Sequence, residues 1–260
     1  MPVCLRDFSL LIKEYTLLPV REKWCSPAER MPKALRFLPL LGFLSGFFIY
    51  LWMDCLRVIP IFSAAAVLLG LEMLLGGMYM MRGFMNLVDG IRISDGTEKD
   101  KTEKTGYIGQ DVTERQRRFN VGKAGLVAGL LRMIAQYYIY LFFLRDPSLG
   151  QFSIILAAVV ARLFMVWAVW HFPAVYPGRL HKGVGKREFI IACIPAALVL
   201  IPFSSPILLM SLLISFLGIY AFAIVRVRFC MALDESCYAT IVLCSELLFL
   251  LSLLAVSQLL

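Results

Sequence analysis

The sequence contains few charged residues and only two histidines, and these shortages exclude whole classes of protein. Charged residues make up 17% of the 260-residue chain, whereas hydrophobic residues make up 60%. This composition is far from that of a soluble globular domain and close to that of a multi-pass membrane protein. The two histidines, His171 and His181, have no acidic partner nearby in the sequence. We therefore interpret them as interfacial or phosphate-adjacent side chains rather than as catalytic bases.

Several common site motifs are also missing. The seven cysteines form no CxxC pair, so they predict neither a zinc site nor a disulfide framework. There is no P-loop pattern and no evident internal repeat. The first residues, MPVCLRDFSLLIKEY, mix charges of both signs with apolar residues and contain no uninterrupted apolar stretch of the kind found in a signal peptide. We expect the N-terminus to stay on the side of the membrane where it is made.

Long hydrophobic segments dominate the sequence instead. A helix needs about 20 apolar residues to cross a hydrocarbon core of about 30 Å. Several segments meet or approach this length, which predicts an all-α, polytopic transmembrane helix bundle of about seven spans. The predicted spans are 36–53, 58–81, 124–144, 151–172, 189–203, 207–225 and 237–258.

The lysines and arginines predict how these spans are oriented. Most of the 26 lie before the first span or in the alternate loops on the same side. Loops rich in lysine and arginine stay in the cytoplasm, so we predict a cytoplasmic N-terminus. The net charge of +8 indicates contact with anionic membrane lipid rather than with nucleic acid. We divide the chain into a cytoplasmic N-terminal segment, 1–35, and a single transmembrane helical domain, 36–260, with a polar cytoplasmic loop at 82–123.

Four charged side chains interrupt the predicted spans: Glu72, Arg132, Arg162 and Glu246. Each lies roughly 12–15 Å from the cytoplasmic end of its span, at 1.5 Å per residue. A single charged group inside a membrane costs at least about 2.5 kcal/mol, so we expect these side chains to pair with one another. The pairs either fix the register of the helices or form the charged floor of a cavity that opens to the cytoplasm. Both interpretations stand.

The stretch MRGFMNLVDG (81–90) carries a polar helix face. Arg82, Asn86 and Asp89 have i, i+4, i+7 spacing and therefore share one side of a helix. Because Mg²⁺ prefers carboxylate and phosphate oxygens, this face can hold a divalent ion and a diphosphate. The alternative is a solvated helix end.

Two polar segments between the predicted spans are candidates for contact with a phosphate group. The hydrophilic segment 91–117 is either a lid over a phosphate site or a solvated loop. The segment RLHKGVGKR (179–187) combines two glycines with Lys182, Lys186 and Arg187, and it can hold a phosphate through these side chains and backbone N–H groups.

Five stretches, taken in order, resemble motifs of the cobalamin synthase family, the adenosylcobinamide-GDP ribazoletransferases. The second stretch stands where the family has the acidic motif DGLADTxDG. There Arg82 and Asn86 replace the first two acids, and only Asp89 matches. The chain therefore resembles a divergent member with degenerate acidic motifs. The five stretches are FLPLLGFLSG (37–46), GGMYMMRGFMNLVDG (76–90), RFNVGKAG (118–125), ARLFMVWAVWHFPAVYPGRLHKGVG (161–185) and MALDESCYATIVLCSELLFLL (231–251).

The resemblance implies a Mg²⁺-dependent transferase of cobalamin biosynthesis in the cell inner membrane, with its active face cytoplasmic. Such an enzyme joins a nucleotide-activated corrinoid, adenosylcobinamide-GDP, to α-ribazole or its phosphate and releases GMP. Two alternatives come from other classes: a catalytically silent member that acts as a membrane binding or assembly protein, and a small-molecule transporter. By resemblance, the catalytic residues are Asp89, Asp234 and Arg162, the Mg²⁺ ligands are Asp89, Asp234 and Glu235, and the substrate-binding residues are Arg82, Asn86, Lys182, Arg187 and Glu246.

Overall fold

The fold is given by a computed structural model that describes residues 2–94, 122–145, 147–172, 184–203, 205–230, 233 and 235–259. Every regular element in these ranges is helical, which confirms the all-α prediction. The α-helices are α1 (Val3–Tyr15), α2 (Met31–Ala34), α3 (Leu38–Cys55), α4 (Ile61–Glu72), α5 (Met78–Ser94), α6 (Lys123–Arg145), α7 (Pro147–His171), α8 (Lys186–Leu200), α9 (Pro206–Cys230) and α10 (Glu235–Leu259).

The helices long and apolar enough to cross a membrane number five in the described ranges, or six if α4 and α5 form one broken span. The chain is therefore a multi-pass membrane protein, while the count of seven spans and the cytoplasmic N-terminus stay predictions. The predicted span 189–203 corresponds to α8, which has only 15 residues and is followed by a 3-10 turn. The five are Ala28–Val58, Lys123–Arg145, Phe152–His171, Pro206–Arg228 and Glu235–Ser257.

The predicted span 58–81 is not straight. The axes of α4 and α5 meet at 84°, and the break falls at Gly76, whose φ is 139°. Only glycine adopts this backbone conformation readily. The space beside Gly76 is also occupied, because a Cβ there would lie 2.6 Å from the carbonyl oxygen of Tyr15. The N–H of Leu17 donates a hydrogen bond to the carbonyl of Leu74 at 3.2 Å, so the chain after α1 is attached to the bend.

Helix α7 lies at the centre of the bundle. In its most apolar 18 residues 78% are buried, whereas in those of α9 only 28% are. It packs against α3, α8 and α10. Two glycines of the first motif allow α3 to approach it closely. A Cβ at Gly42 would lie 2.6 Å from the carbonyl oxygen of Ala158, and one at Gly46 would lie 2.8 Å from the Cα of Ile155. The stretch GFLSG is thus a GxxxG contact between membrane helices.

The N-terminal segment is folded onto one end of this bundle. Asp7 is completely buried and accepts a hydrogen bond from the Ser26 hydroxyl at 2.6 Å. Its carboxylate also pairs with Arg30 at 3.1 Å and with Arg36 at 3.4 Å. These contacts join α1 to the helical segment that continues into α3. That helical segment is Ala28–Val58. The division of the chain at residue 35 stays a prediction.

Candidate functional site

One pair of the charged residues inside the spans forms a direct ion pair. A guanidinium nitrogen of Arg132, on α6, lies 3.1 Å from Oε1 of Glu72, on α4. The other carboxylate oxygen of Glu72 accepts a hydrogen bond of 2.8 Å from the hydroxyl of Tyr140. All three side chains are buried. This contact supports the interpretation that the charges fix the register of the helices, here of α4 against α6.

The other two charged residues line a cavity between α3, α4, α7 and α10. Arg162 and Glu246 border it together with Glu72, Ser45 and the bend at Gly76. Arg162 donates a hydrogen bond of 2.9 Å to the carbonyl of Ala158 in its own helix. The cavity measures about 20 Å³, which is room for about one water molecule. It is a small polar cavity in the middle of the bundle.

Asp89 connects the second motif to the third. One of its carboxylate oxygens accepts the N–H of Gly122 at 2.6 Å, and the other accepts the N–H of Gly125 at 2.8 Å. Gly122 immediately precedes α6, so the carboxylate lies at the positive end of that helix, where an anion is stabilised. A Cβ at Gly125 would overlap this carboxylate and the carbonyl oxygen of Met85. The glycines of RFNVGKAG therefore make room for Asp89.

An open cavity of about 170 Å³ lies where α5 meets the start of α10. We call it the α5–α10 groove. The two helices come close because Gly83 has no side chain. A Cβ there would overlap the side chain of Ala239. The groove brings together parts of the second and fifth motifs, which are about 150 residues apart in the sequence. Its lining residues are Tyr79, Arg82, Gly83, Asn86, Glu235, Ser236 and Ala239.

A second cavity, of about 80 Å³, adjoins the groove on the side of α1. We call it the N-terminal pocket. It shares Tyr79 and Glu235 with the groove. Burial raises the pKa of Tyr15 well above its ordinary value, and the nearby Tyr79, Glu235 and Glu14 raise it further, so its hydroxyl stays protonated. The lining residues are Leu10, Glu14, Tyr15, Ala28, Met31, Tyr79 and Glu235.

The family model described as Cobalamin-5-phosphate synthase matches residues 7–254, nearly the whole chain. The chain belongs to this family. A curated relative, the adenosylcobinamide-GDP ribazoletransferase of Thermosynechococcus vestitus (strain NIES-2133 / IAM M-273 / BP-1), is 28% identical over 186 residues. The match covers 67% of this chain and 66% of the relative, just under two thirds of its length. No solved structure matches the chain.

The predicted site residues of this Cobalamin-5-phosphate synthase family member fall into four places in the part of the chain that the structure describes. Arg82, Asn86 and Glu235 meet in the α5–α10 groove. Asp89 lies at the start of α6, about one helical turn beyond Asn86. Arg162 and Glu246 border the small cavity inside the bundle. Arg187 is exposed in the first turn of α8. Asp234, Lys182, His181 and most of the loop 91–117 lie outside the described residues.

The sequence analysis did not single out Glu14, Tyr15 or Tyr79, which line the N-terminal pocket. Tyr79 precedes Arg82 by three residues and so belongs to the same helix face, which is a signal that spacing alone could have provided. Tyr15 reaches Tyr79 across more than 60 residues of sequence, with ring centroids 5.4 Å apart. No local pattern indicates such a contact.

Few acidic side chains lie around the groove to hold a magnesium ion. The described residues contain no group of three or more His, Cys, Asp or Glu side chains that could hold a metal ion. Mg²⁺ is, however, often held by one or two carboxylates together with phosphate oxygens of a substrate. Glu235 lines the groove and can supply one such carboxylate. Both oxygens of Asp89 accept N–H groups. The described side chains fit a Mg²⁺ that arrives with a phosphorylated substrate.

Proposed function

We propose that the α5–α10 groove is the active site of a membrane transferase of cobalamin biosynthesis. The reaction joins adenosylcobinamide-GDP to α-ribazole or its phosphate and releases GMP. The observation that carries the proposal is the meeting of Arg82, Asn86 and Glu235, from two distant family motifs, in one open cavity. The relative from Thermosynechococcus vestitus, an adenosylcobinamide-GDP ribazoletransferase, supports the choice of reaction.

The chemistry requires cationic and hydrogen-bonding groups around a diphosphate. A hydroxyl of the acceptor attacks a phosphorus atom, the bond to the leaving GMP breaks, and negative charge builds on the leaving group. Arg82 stands where it can offset that charge, and the amide of Asn86 can donate a hydrogen bond to a phosphate oxygen. Lys182, Arg187 and Arg162 stay predicted as further phosphate-binding or catalytic residues, and Glu246 as a deep supporting charge.

Magnesium belongs to this proposal. When bound, Mg²⁺ would neutralise part of the diphosphate charge. We assign Glu235 and its sequence neighbour Asp234 to hold it with the substrate. Asp89 stays a predicted ligand, and it must share its oxygens with the N–H groups of Gly122 and Gly125.

We further propose that the groove faces the cytoplasm in the cell inner membrane. The N-terminal segment borders the groove's neighbouring pocket, and it carries many of the lysines and arginines that predict a cytoplasmic side. A diphosphate-bearing corrinoid would then reach the groove from the aqueous side without entering lipid.

The test is a GMP-release assay on detergent-purified protein, with adenosylcobinamide-GDP and α-ribazole, with and without Mg²⁺. Arg82→Ala and Glu235→Gln should each lower kcat/KM by about 100-fold or more, as loss of a transition-state contact does. Arg57→Ala is the control, because Arg57 pairs with Asp54 at the opposite end of α3, where both side chains are nearly half exposed. Wild-type protein that releases no GMP with either α-ribazole or its phosphate would refute the proposal.

One observation favours a silent family member as the second candidate. Asp89, which alone matches the acidic motif DGLADTxDG, is bonded to the start of α6. A silent member would bind adenosylcobinamide-GDP without releasing GMP, so equilibrium binding beside the turnover assay separates the two. Transport finds less support, because the cavity around Arg162 and Glu246 has room for only about one water molecule.

A further inference from the structure

Tyr79, like Glu235, lines both the α5–α10 groove and the N-terminal pocket. Its side chain is 40% exposed, although it belongs to a helix packed within the bundle. The ring of Tyr15 meets it edge to face, with an interplanar angle of 77°, and Tyr15 is only 3% exposed. A half-exposed ring held in place from one side offers a stacking surface to a planar ligand.

The groups on either side of this ring differ in charge. Glu14 on α1 and Glu235 on α10 border the N-terminal pocket, and exposed carboxylates accept hydrogen bonds from hydroxyl groups. Arg82 and Asn86 border the groove one and two turns beyond Tyr79, and they suit a phosphate. Glu14 therefore borders only the N-terminal pocket, Arg82 and Asn86 border only the groove, and Tyr79 and Glu235 border both.

We propose that the N-terminal pocket is a nucleoside subsite. A planar nitrogen heterocycle stacks on Tyr79, a hydroxyl of the attached sugar donates to Glu14, and the end of the sugar that carries the phosphate, when there is one, points along α5 toward Arg82. The inference rests on the proposed function, because both use the same groove. It adds that the N-terminal segment, outside the family's acidic motifs, takes part in substrate selection.

Two molecules of the proposed reaction carry this chemistry: GMP, which has a purine, and α-ribazole, which has a benzimidazole. The experiment measures the binding of each to the full-length protein in detergent by isothermal titration calorimetry, without turnover. Tyr79→Ala should weaken the affinity for at least one of them by about 5- to 150-fold, the range for loss of one stacked base. Tyr79→Phe should keep the affinity within about twofold, because the ring remains.

Two further variants separate the subsite from general damage. Tyr138→Ala removes an aromatic ring that is 65% exposed on α6 and should leave both affinities unchanged. Glu14→Gln changes an exposed residue of α1 and should weaken binding several-fold, so the test does not depend on the folding of Tyr79→Ala. The subsite would be overturned if Tyr79→Ala and Glu14→Gln each bound GMP with the wild-type affinity and also bound α-ribazole with the wild-type affinity.

The ligand affected identifies the occupant: a loss for GMP alone assigns the leaving nucleotide, and a loss for α-ribazole alone assigns the acceptor. The two proposals also fail separately. Binding that depends on Tyr79 without any GMP release keeps the subsite and overturns the transferase. Normal GMP release with unchanged affinities in Tyr79→Ala overturns only the subsite.

Discussion

Gly125→Ala should destabilise the protein strongly, although glycine to alanine usually stabilises a helix. A methyl group at this position of α6 would overlap the carbonyl oxygen of Met85 and the carboxylate of Asp89. The main-chain oxygen of Met85 cannot rotate away, so α5 and α6 must separate, and Asp89 must also move away from the added methyl group. These changes break the hydrogen bonds that join the second and third motifs.

The magnitude follows from three contributions. Overpacking costs about 1–3 kcal/mol, and loss of charged hydrogen bonds at a helix N-terminus costs about 1.5–3 kcal/mol. The helix propensity of alanine returns about 1 kcal/mol. The net loss is about 1.5–5 kcal/mol, which lowers the melting temperature by about 3–20 °C for a chain of this size.

Circular dichroism during heating in one detergent measures this loss. Gly90→Ala and Gly70→Ala are matched controls, because a Cβ at either position meets no atom within 4 Å. Both should melt at or slightly above the wild-type temperature, since only the propensity gain remains. If Gly125→Ala melts together with Gly90→Ala, the close contact between Asp89 and the start of α6 is not what requires a glycine there.

Three more predictions concern other contacts. Arg132→Leu should cost about 3–5 kcal/mol because it strands the buried carboxylate of Glu72, and adding Glu72→Gln should recover part of that loss in the same melting assay. Gly46→Ala should cost about 1–3 kcal/mol by forcing α3 from α7, and a melting temperature equal to the wild type would contradict this contact. The hydrogen bond and charge of Lys13 lower the pKa of Glu22, so the pair's contribution is present above the ordinary glutamate pKa and is lost as the pH falls through the lowered value. Lys13→Met should return the pKa of Glu22 toward its ordinary value in an NMR titration, and an unchanged pKa would exclude the pairing.

Hydropathy predicted most of the membrane helices because apolar runs of sufficient length have few alternatives to a spanning helix. It could not predict the bend in 58–81, which depends on a positive φ at Gly76 and on the contact with Tyr15. The predicted span 189–203 is itself only 15 residues long, and the helix found there, Lys186–Leu200, has the same length. The bend arises from backbone geometry within apolar sequence.

The candidate site was predictable where the residues share one helix. The spacing of Arg82 and Asn86 placed them on one face, and the order of the family motifs indicated that Glu235 belongs to the same site. The bonds from Asp89 to Gly122 and Gly125 join residues more than 30 positions apart, so no helical period reports them. The N-terminal pocket depends on how α1 folds back onto the bundle, which is likewise tertiary information.

The bend at Gly76 changes what α5 presents to the surroundings. The 84° turn sets α5 almost perpendicular to α4, whose 12 residues extend about 18 Å and are too short to cross a hydrocarbon core of about 30 Å on their own. The flank of α5, not its tip, faces the start of α10, and Tyr79, Arg82 and Asn86 follow one another along that flank. Successive turns of a single helix therefore contribute to one binding surface.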